Sequence, residues 1–173
     1  MPFTSFNNQR SPMKRRKSPI NRADTAARKR RRAKLAEAKA QRPPTYRDLE
    51  KQLRALTATY VKLRDGHTCQ QGLADGVICD GIMDAGHIYP SGKFPYFKFE
   101  PDNIVCQCRQ HNKLHIGRPD VMMCWYQRTR GEEALERLHQ RAVSATRPTR
   151  DDLLRMIDER TKQIDELRLL AVA

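Results

Sequence analysis

The stretch "NIVCQCRQHN" (residues 103–112) sets two cysteines, a histidine and two asparagines within ten positions of an otherwise Arg-rich, polar chain. Ile104 and Val105 open it as a short strand, whereas "RQHNKLH" suits the first turns of a helix. Cys108 and His111 stand with two residues between them, a spacing that lets both side chains reach one ion. Upstream, the apolar residues around Ile82 to Ile88 suit a second strand, so the order is strand, long loop, strand, helix. Cys69 and Cys79 form the other ligand pair. Nine residues separate them, so this half of the site requires an inserted loop, "QQGLADGVI", and His67, Cys106 and His115 are the alternative ligands. Tetrahedral zinc favours such a set of sulfur and nitrogen donors, and a small core gains much of its stability from the clip. Any one of these cysteines, taken alone, reads as a small buried hydrophobe.

Working outward, the flanks predict helices. Thr45 with Asp48 forms a capping box after Pro43 and Pro44, and Leu49, Leu53, Leu56 and Tyr60 repeat at helical spacing over roughly 46–64. "RPDVMMCWYQRTRGEEALERLHQRAV" reads as helix with a break at Gly131. Thr149 and Asp152 repeat the capping pattern ahead of Leu153, Ile157, Ile164 and Leu167, a stripe that packs either on its own domain or as the seam of a homodimer.

The first 42 residues carry 14 of the 34 Lys and Arg, with only Asp24 and Glu37 as acids, and so hold nearly all of the formal charge of +14. That excess points to a polyanion, nucleic acid before membrane. Such a segment has too little apolar surface to offset its ordering entropy and is expected to be disordered in isolation, although "AARKRRRAKLAEAKAQ" is rich in helix formers that can fold on DNA. The 173 residues suit one domain plus this appendage. The expected organisation is a basic arm over 1–43 and a domain over 44–173, divided into a leading helix (44–66), a metal-stabilised core (67–118) and C-terminal helices (119–173). Without a secretory signal or a membrane-spanning run, the expected location is the cytoplasm of a bacterial host, at the nucleoid. Five cysteines in a reducing compartment favour metal ligands or buried thiols over disulfides.

From Asp84, "DAGHIYP" followed by "NIVCQCRQHN" resembles the ββα-metal (HNH, His-Me finger) nuclease motif. In that alignment His87 is the first letter, Asn103 the second, and Asn112 stands where the last His often does. Cys108 and His111 then fall where a zinc knuckle is usual, and "RDGHTCQ" resembles the stretch before its first Cys. More narrowly, "MDAGHIYPSGKFPYFKFEPDNIVCQCRQHN" is similar to the NinG (Rap) recombination endonucleases of lambdoid phages, over roughly residues 60–170. The resemblance implies an α+β fold with a zinc-stabilised HNH core flanked by helices. It also implies a metal-dependent DNA endonuclease of bacteriophage recombination acting on branched DNA such as Holliday junctions and D-loops. An HNH nickase on ordinary or recombinase-bound DNA, and a non-catalytic zinc module that binds DNA and recruits recombination proteins, are the competing functions.

Phosphodiester hydrolysis needs an activated water, a Lewis acid and a group that fixes the base's tautomer. His87 is the expected base, and Asn103 is expected to orient it or brace the loop. Asn112 is the expected ligand of a catalytic Mg²⁺ or Mn²⁺, so that the imidazole and this amide converge on one hydrated cation. Many HNH proteins place an Asp just before the His. Gly86 occupies that slot, and Asp84, on the same strand face, is the substitute carboxylate. The structural zinc set is Cys69, Cys79, Cys108 and His111. Expected DNA contacts are Arg30, Arg31 and Arg32 in the arm, Lys93 and Lys98 in the aromatic loop "YPSGKFPYFKFEPD", and Arg109, Lys113 and His115 near the helix start. The loop aromatics Phe94, Tyr96, Phe97 and Phe99 are open between base stacking and core packing. A recombinase or single-strand-annealing protein is an expected partner.

Overall fold

A computed structural model describes residues 22–171 of the chain. The chain divides into two units, 1–43 and 44–173. In the first, Arg22–Gln41 is one helix, α1, with Arg30, Arg31 and Arg32 all exposed. The helix takes in the whole of "AARKRRRAKLAEAKAQ", the stretch whose helix formers were expected to fold on DNA. Ala, Arg, Lys, Leu, Glu and Gln dominate the segment, and their summed helix propensity sustains a helix that has no apolar stripe. The expectation for residues 1–21 lies outside the described residues.

The second unit is α+β. Helix α2 (Tyr46–Arg64) is followed by a one-turn helix α3 (Gln70–Ala74), strand β1 (Met83–His87), a 3-10 turn (Pro101–Asn103), strand β2 (Ile104–Cys108) and α4 (Arg109–Leu114). Three longer helices complete it: α5 (Pro119–Arg130), α6 (Glu132–Ser144) and α7 (Arg150–Leu170), with the break between α5 and α6 at Gly131. Both expected capping boxes form, Thr45 with Asp48 and Thr149 with Asp152. Each satisfies backbone N–H groups that a helix start otherwise leaves open.

Strands β1 and β2 pair antiparallel in a two-stranded sheet, with Asp84 opposite Gln107, Gly86 opposite Val105 and His87 opposite Ile104. Two apolar clusters hold this hairpin. Ile88, Tyr89, Phe97, Val105, Met122, Trp125, Leu138 and Ala142 form one, beneath α5 and α6. Leu49, Leu53, Phe99 and Leu153 form the other, where α2 packs along α7. The α7 stripe is therefore spent within its own unit: Leu153 and Ile164 are buried and Ile157 packs against the second cluster. The loop aromatics also resolve toward packing, with Phe97 and Phe99 buried and only Tyr96 largely exposed. No helix among the described residues is long and apolar enough to cross a membrane.

Candidate active site and metal centre

The end of β2 and α4, with the chain on either side of α3, bring the four expected metal ligands together. Cys69, Cys79, Cys108 and His111 each offer one donor atom, and these atoms lie within 4.8 Å of one another. His111 Nδ1 is 3.3 Å from Cys69 Sγ, 3.5 Å from Cys79 Sγ and 3.3 Å from Cys108 Sγ. Tetrahedral zinc, with Zn–S of about 2.3 Å and Zn–N of about 2.0–2.1 Å, requires S···N edges of about 3.6 Å. The donor set therefore fits such an ion in both chemistry and size. The Gly72 amide donates to Cys69 Sγ and the His111 amide to Cys108 Sγ, both at 3.4 Å, as amides do around thiolate ligands.

The wide Cys69–Cys79 spacing is accommodated by α3, which the sequence did not announce. Cys69 is its N-cap, and the turn folds the intervening chain back so that Cys79 returns to the cluster. The return passes directly over Gly72. A Cβ there would meet Cys79 Sγ and would lie 2.7 Å from the Val77 carbonyl, so only glycine permits the approach. Three thiols at this range resist joint ionisation. Burial first, and then the neighbouring Cys69 and Cys108, push the Cys79 thiol up to about 12. Cys108 lies below its ordinary value: burial opposes the shift, and the His111 amide and the other thiols outweigh it. A cation at the centre removes the conflict.

His87, the last residue of β1, is half-buried, with Nε2 3.1 Å from the Lys98 carbonyl. A carbonyl only accepts, so Nε2–H is the donor and Nδ1 carries the free lone pair in the neutral ring. Burial, assisted by the charge of Arg54 and opposed by the Lys98 bond, lowers the imidazole pKa below its ordinary value. Asn103, 0 % exposed, holds the loop that presents this carbonyl. Its Oδ1 accepts from the Tyr89 amide at 2.7 Å, and its Nδ2 donates to the carbonyls of Tyr89 and Phe97 at 3.1 and 3.3 Å. These bonds brace the loop from both ends. Asn103→Ala would strand buried backbone groups at both ends of the loop, at a cost on the order of 3 kcal/mol. Urea unfolding of the variant checks this, and an unchanged midpoint would contradict it.

Asp84 and Asn112 meet on the opposite face of β1. Asn112 Oδ1 is 3.1 Å from the point a Cβ at Gly86 would occupy. Asp84 is held below the usual carboxylate range by Arg109, whose guanidinium makes a two-pronged pair with it at 3.2 and 3.3 Å; burial opposes this and a hydrogen bond with Asn112 adds to it. His87 and Asn112, the pair expected on one cation, reach the end of β1 from its two faces. Strand alternation sends Asp84 and Gly86 to one face and His87 to the other. The two sets flank the end of β1, from neighbouring Cα atoms about 3.8 Å apart.

Three expected DNA contacts are engaged internally. Lys98 pairs with Glu50 at 2.8 Å and lies over the Phe99 ring. His115 is half-buried, its Nδ1 3.2 Å from Gln107 Nε2. Arg109 holds Asp84. Lys93 and Lys113 are exposed. Lys98–Glu50 and Arg109–Asp84 join residues 48 and 25 positions apart, and only the tertiary fold reveals them. The same holds for two side chains that sequence reasoning passed over: Gln107, fully buried beside Gly86, and Asp65, whose carboxylate accepts from the Cys106 amide at 2.8 Å along the edge of β2.

Comparison with known protein families matches residues 4–169 to the family described as Bacteriophage Lambda NinG protein. The chain belongs to the NinG family. Membership points to a role in phage recombination, and the NinG match spans the arm as well as the Cys/His cluster. Comparison with the curated proteins and with the solved structures finds no match.

Proposed function

We propose that this NinG-family chain is a divalent-metal-dependent DNA endonuclease of the HNH, or ββα-metal, type that hydrolyses phosphodiesters in branched recombination intermediates, Holliday junctions and D-loops among them. The observation that carries the reading is the His87 imidazole, fixed with Nδ1 as acceptor by a carbonyl from an Asn103-clamped loop. It stands one residue from the glycine whose other face meets Asn112. A phosphodiester laid across the end of β1 touches both sides. His87 Nδ1 takes the proton of the attacking water there. Asp84 and Asn112 offer the oxygens that suit Mg²⁺ or Mn²⁺, and the bound ion would supply positive charge against the charge developing on the phosphate and leaving oxygen. Cys69, Cys79, Cys108 and His111 hold a structural Zn²⁺ that fixes the start of α4 and hence Asn112.

Cleavage of four-way junctions, forks and linear duplex, each with and without Mg²⁺ or Mn²⁺, tests the reading. Metal-dependent cutting that favours the junction supports it. Binding without cutting under any metal would leave a recombination mediator, and equal cutting of linear duplex an HNH nickase.

Arg30, Arg31 and Arg32, exposed on α1, and the exposed Lys93 and Lys113 supply phosphate contacts. Deleting residues 1–42 is expected to flatten the salt dependence of DNA binding, because every phosphate that the shortened chain leaves unneutralised reduces the log–log slope by about 0.9. An unchanged slope would remove the arm from the interface.

A further inference from the structure

Gln107 is 0 % exposed, and its Oε1 is buried without a hydrogen-bond partner. The other end of the amide is engaged: Nε2 lies 3.3 Å from Gln71 Oε1, 3.2 Å from His115 Nδ1 and 3.2 Å from Met122 Sδ. Met122 Sδ can only accept, so the N–H-bearing end of the amide faces it, with the His115 ring accepting as its Nε2–H tautomer, and Oε1 turns toward β1. Oε1 fills the space that a Cβ at Gly86 would claim, with Gln107 Cδ 2.8 Å and Asn112 Oδ1 3.1 Å from that same point. Across the sheet Gln107 pairs with Asp84. Two amide oxygens therefore meet at one position, beside the Asp84 carboxylate that Asn112 hydrogen-bonds, and one of the oxygens lacks the donor that a buried acceptor requires.

We propose that Gln107 Oε1 is a third oxygen ligand of the divalent cation, completing with Asp84 and Asn112 a hard, all-oxygen set on the Gly86 face. This rests on the ion site proposed above. It gives Gly86 a reason: any side chain there would expel the Gln107 oxygen.

Binding of Mn²⁺ to the full-length, zinc-loaded chain, followed by the paramagnetic resonance of free Mn²⁺, tests the assignment without relying on cleavage. Gln107→Leu is expected to weaken Mn²⁺ binding at least about tenfold with zinc content unchanged, whereas the near-isosteric Gln107→Glu binds at least as tightly as wild type. A merely structural glutamine would give no such opposition between the two variants. Wild-type affinity in Gln107→Leu, with affinity abolished in Asp84→Asn, overturns the Gln107 assignment and leaves the ion site standing. Wild-type chain that binds no Mn²⁺ overturns both. If Gln107→Leu fails to retain zinc, Gln107→Glu decides alone: affinity at or above wild type supports the assignment, and a loss of about tenfold or more overturns it.

Discussion

Replacing His87 with alanine is expected to lower junction cleavage by about 10²–10⁴-fold, the range a positioned general base contributes, while DNA affinity stays at the wild-type level. The separation of the two effects follows from the geometry. His87 sits half-buried at the end of β1 with one nitrogen committed to the Lys98 carbonyl, so it offers DNA a proton acceptor and no charge. Its effect on rate depends on protonation. Burial, with Arg54 adding and the Lys98 bond opposing, holds the imidazole pKa below the ordinary value. The neutral base therefore predominates at pH 7. The rate falls as pH drops through a pKa below about 6.5 and is flat above it. Single-turnover cleavage across that range, in parallel with filter-binding of the variant, checks both statements. Full cleavage by His87→Ala, or a rate that rises on acidification, would remove His87 from the mechanism.

The second large effect lies in the metal cluster. Cys108→Ser is expected to lose bound zinc and, with it, the cooperative unfolding transition of the 44–173 unit. Structural zinc sites contribute on the order of 10 kcal/mol, comparable to the whole net stability of a domain. Cys108 is placed to matter most, because it ends β2, caps α4 and contacts His111 within one turn. Removing its sulfur uncouples the strand from the helix that carries Asn112. Metal analysis of wild type and variant, together with thermal melts before and after chelation, measures the effect. Equal zinc content in both would discard Cys108 as a ligand, and an unchanged melt after zinc removal would make the ion dispensable to the fold.

Local signals in the sequence announced the parts of this architecture that depend on near neighbours. The capping boxes at Thr45 and Thr149 are three-residue devices, and the Cys108–His111 pair is set by one helical turn, so each is written in contiguous residues. The α7 stripe announced an apolar face, but only the packing of α2 along it shows which surface it meets. Long-range choices were not legible. The Cys69–Cys79 gap looked too wide until α3 folded it, and the signal for that was Gly72, the residue over which Cys79 returns. Lys98 reads as a free cation in a string of aromatics, yet Glu50, 48 positions earlier, neutralises it. Arg109 and Asp84 read as separate charges 25 positions apart and pair. The arm illustrates the reverse case. Composition argued against a packed core, correctly for a helix with no apolar stripe, but helix propensity needs no core to bias the backbone.

The central claim is that His87 on one face of β1 and the Asp84 and Asn112 oxygens on the other act on the same phosphodiester. Manganese anomalous diffraction from His87→Ala crystals grown with a four-way junction tests it directly. The claim predicts an anomalous peak at the Asp84 and Asn112 oxygens and a DNA phosphate that spans from that peak to the space vacated by the imidazole. A manganese peak elsewhere, or a phosphate path that leaves the position-87 side of the strand bare, would contradict it.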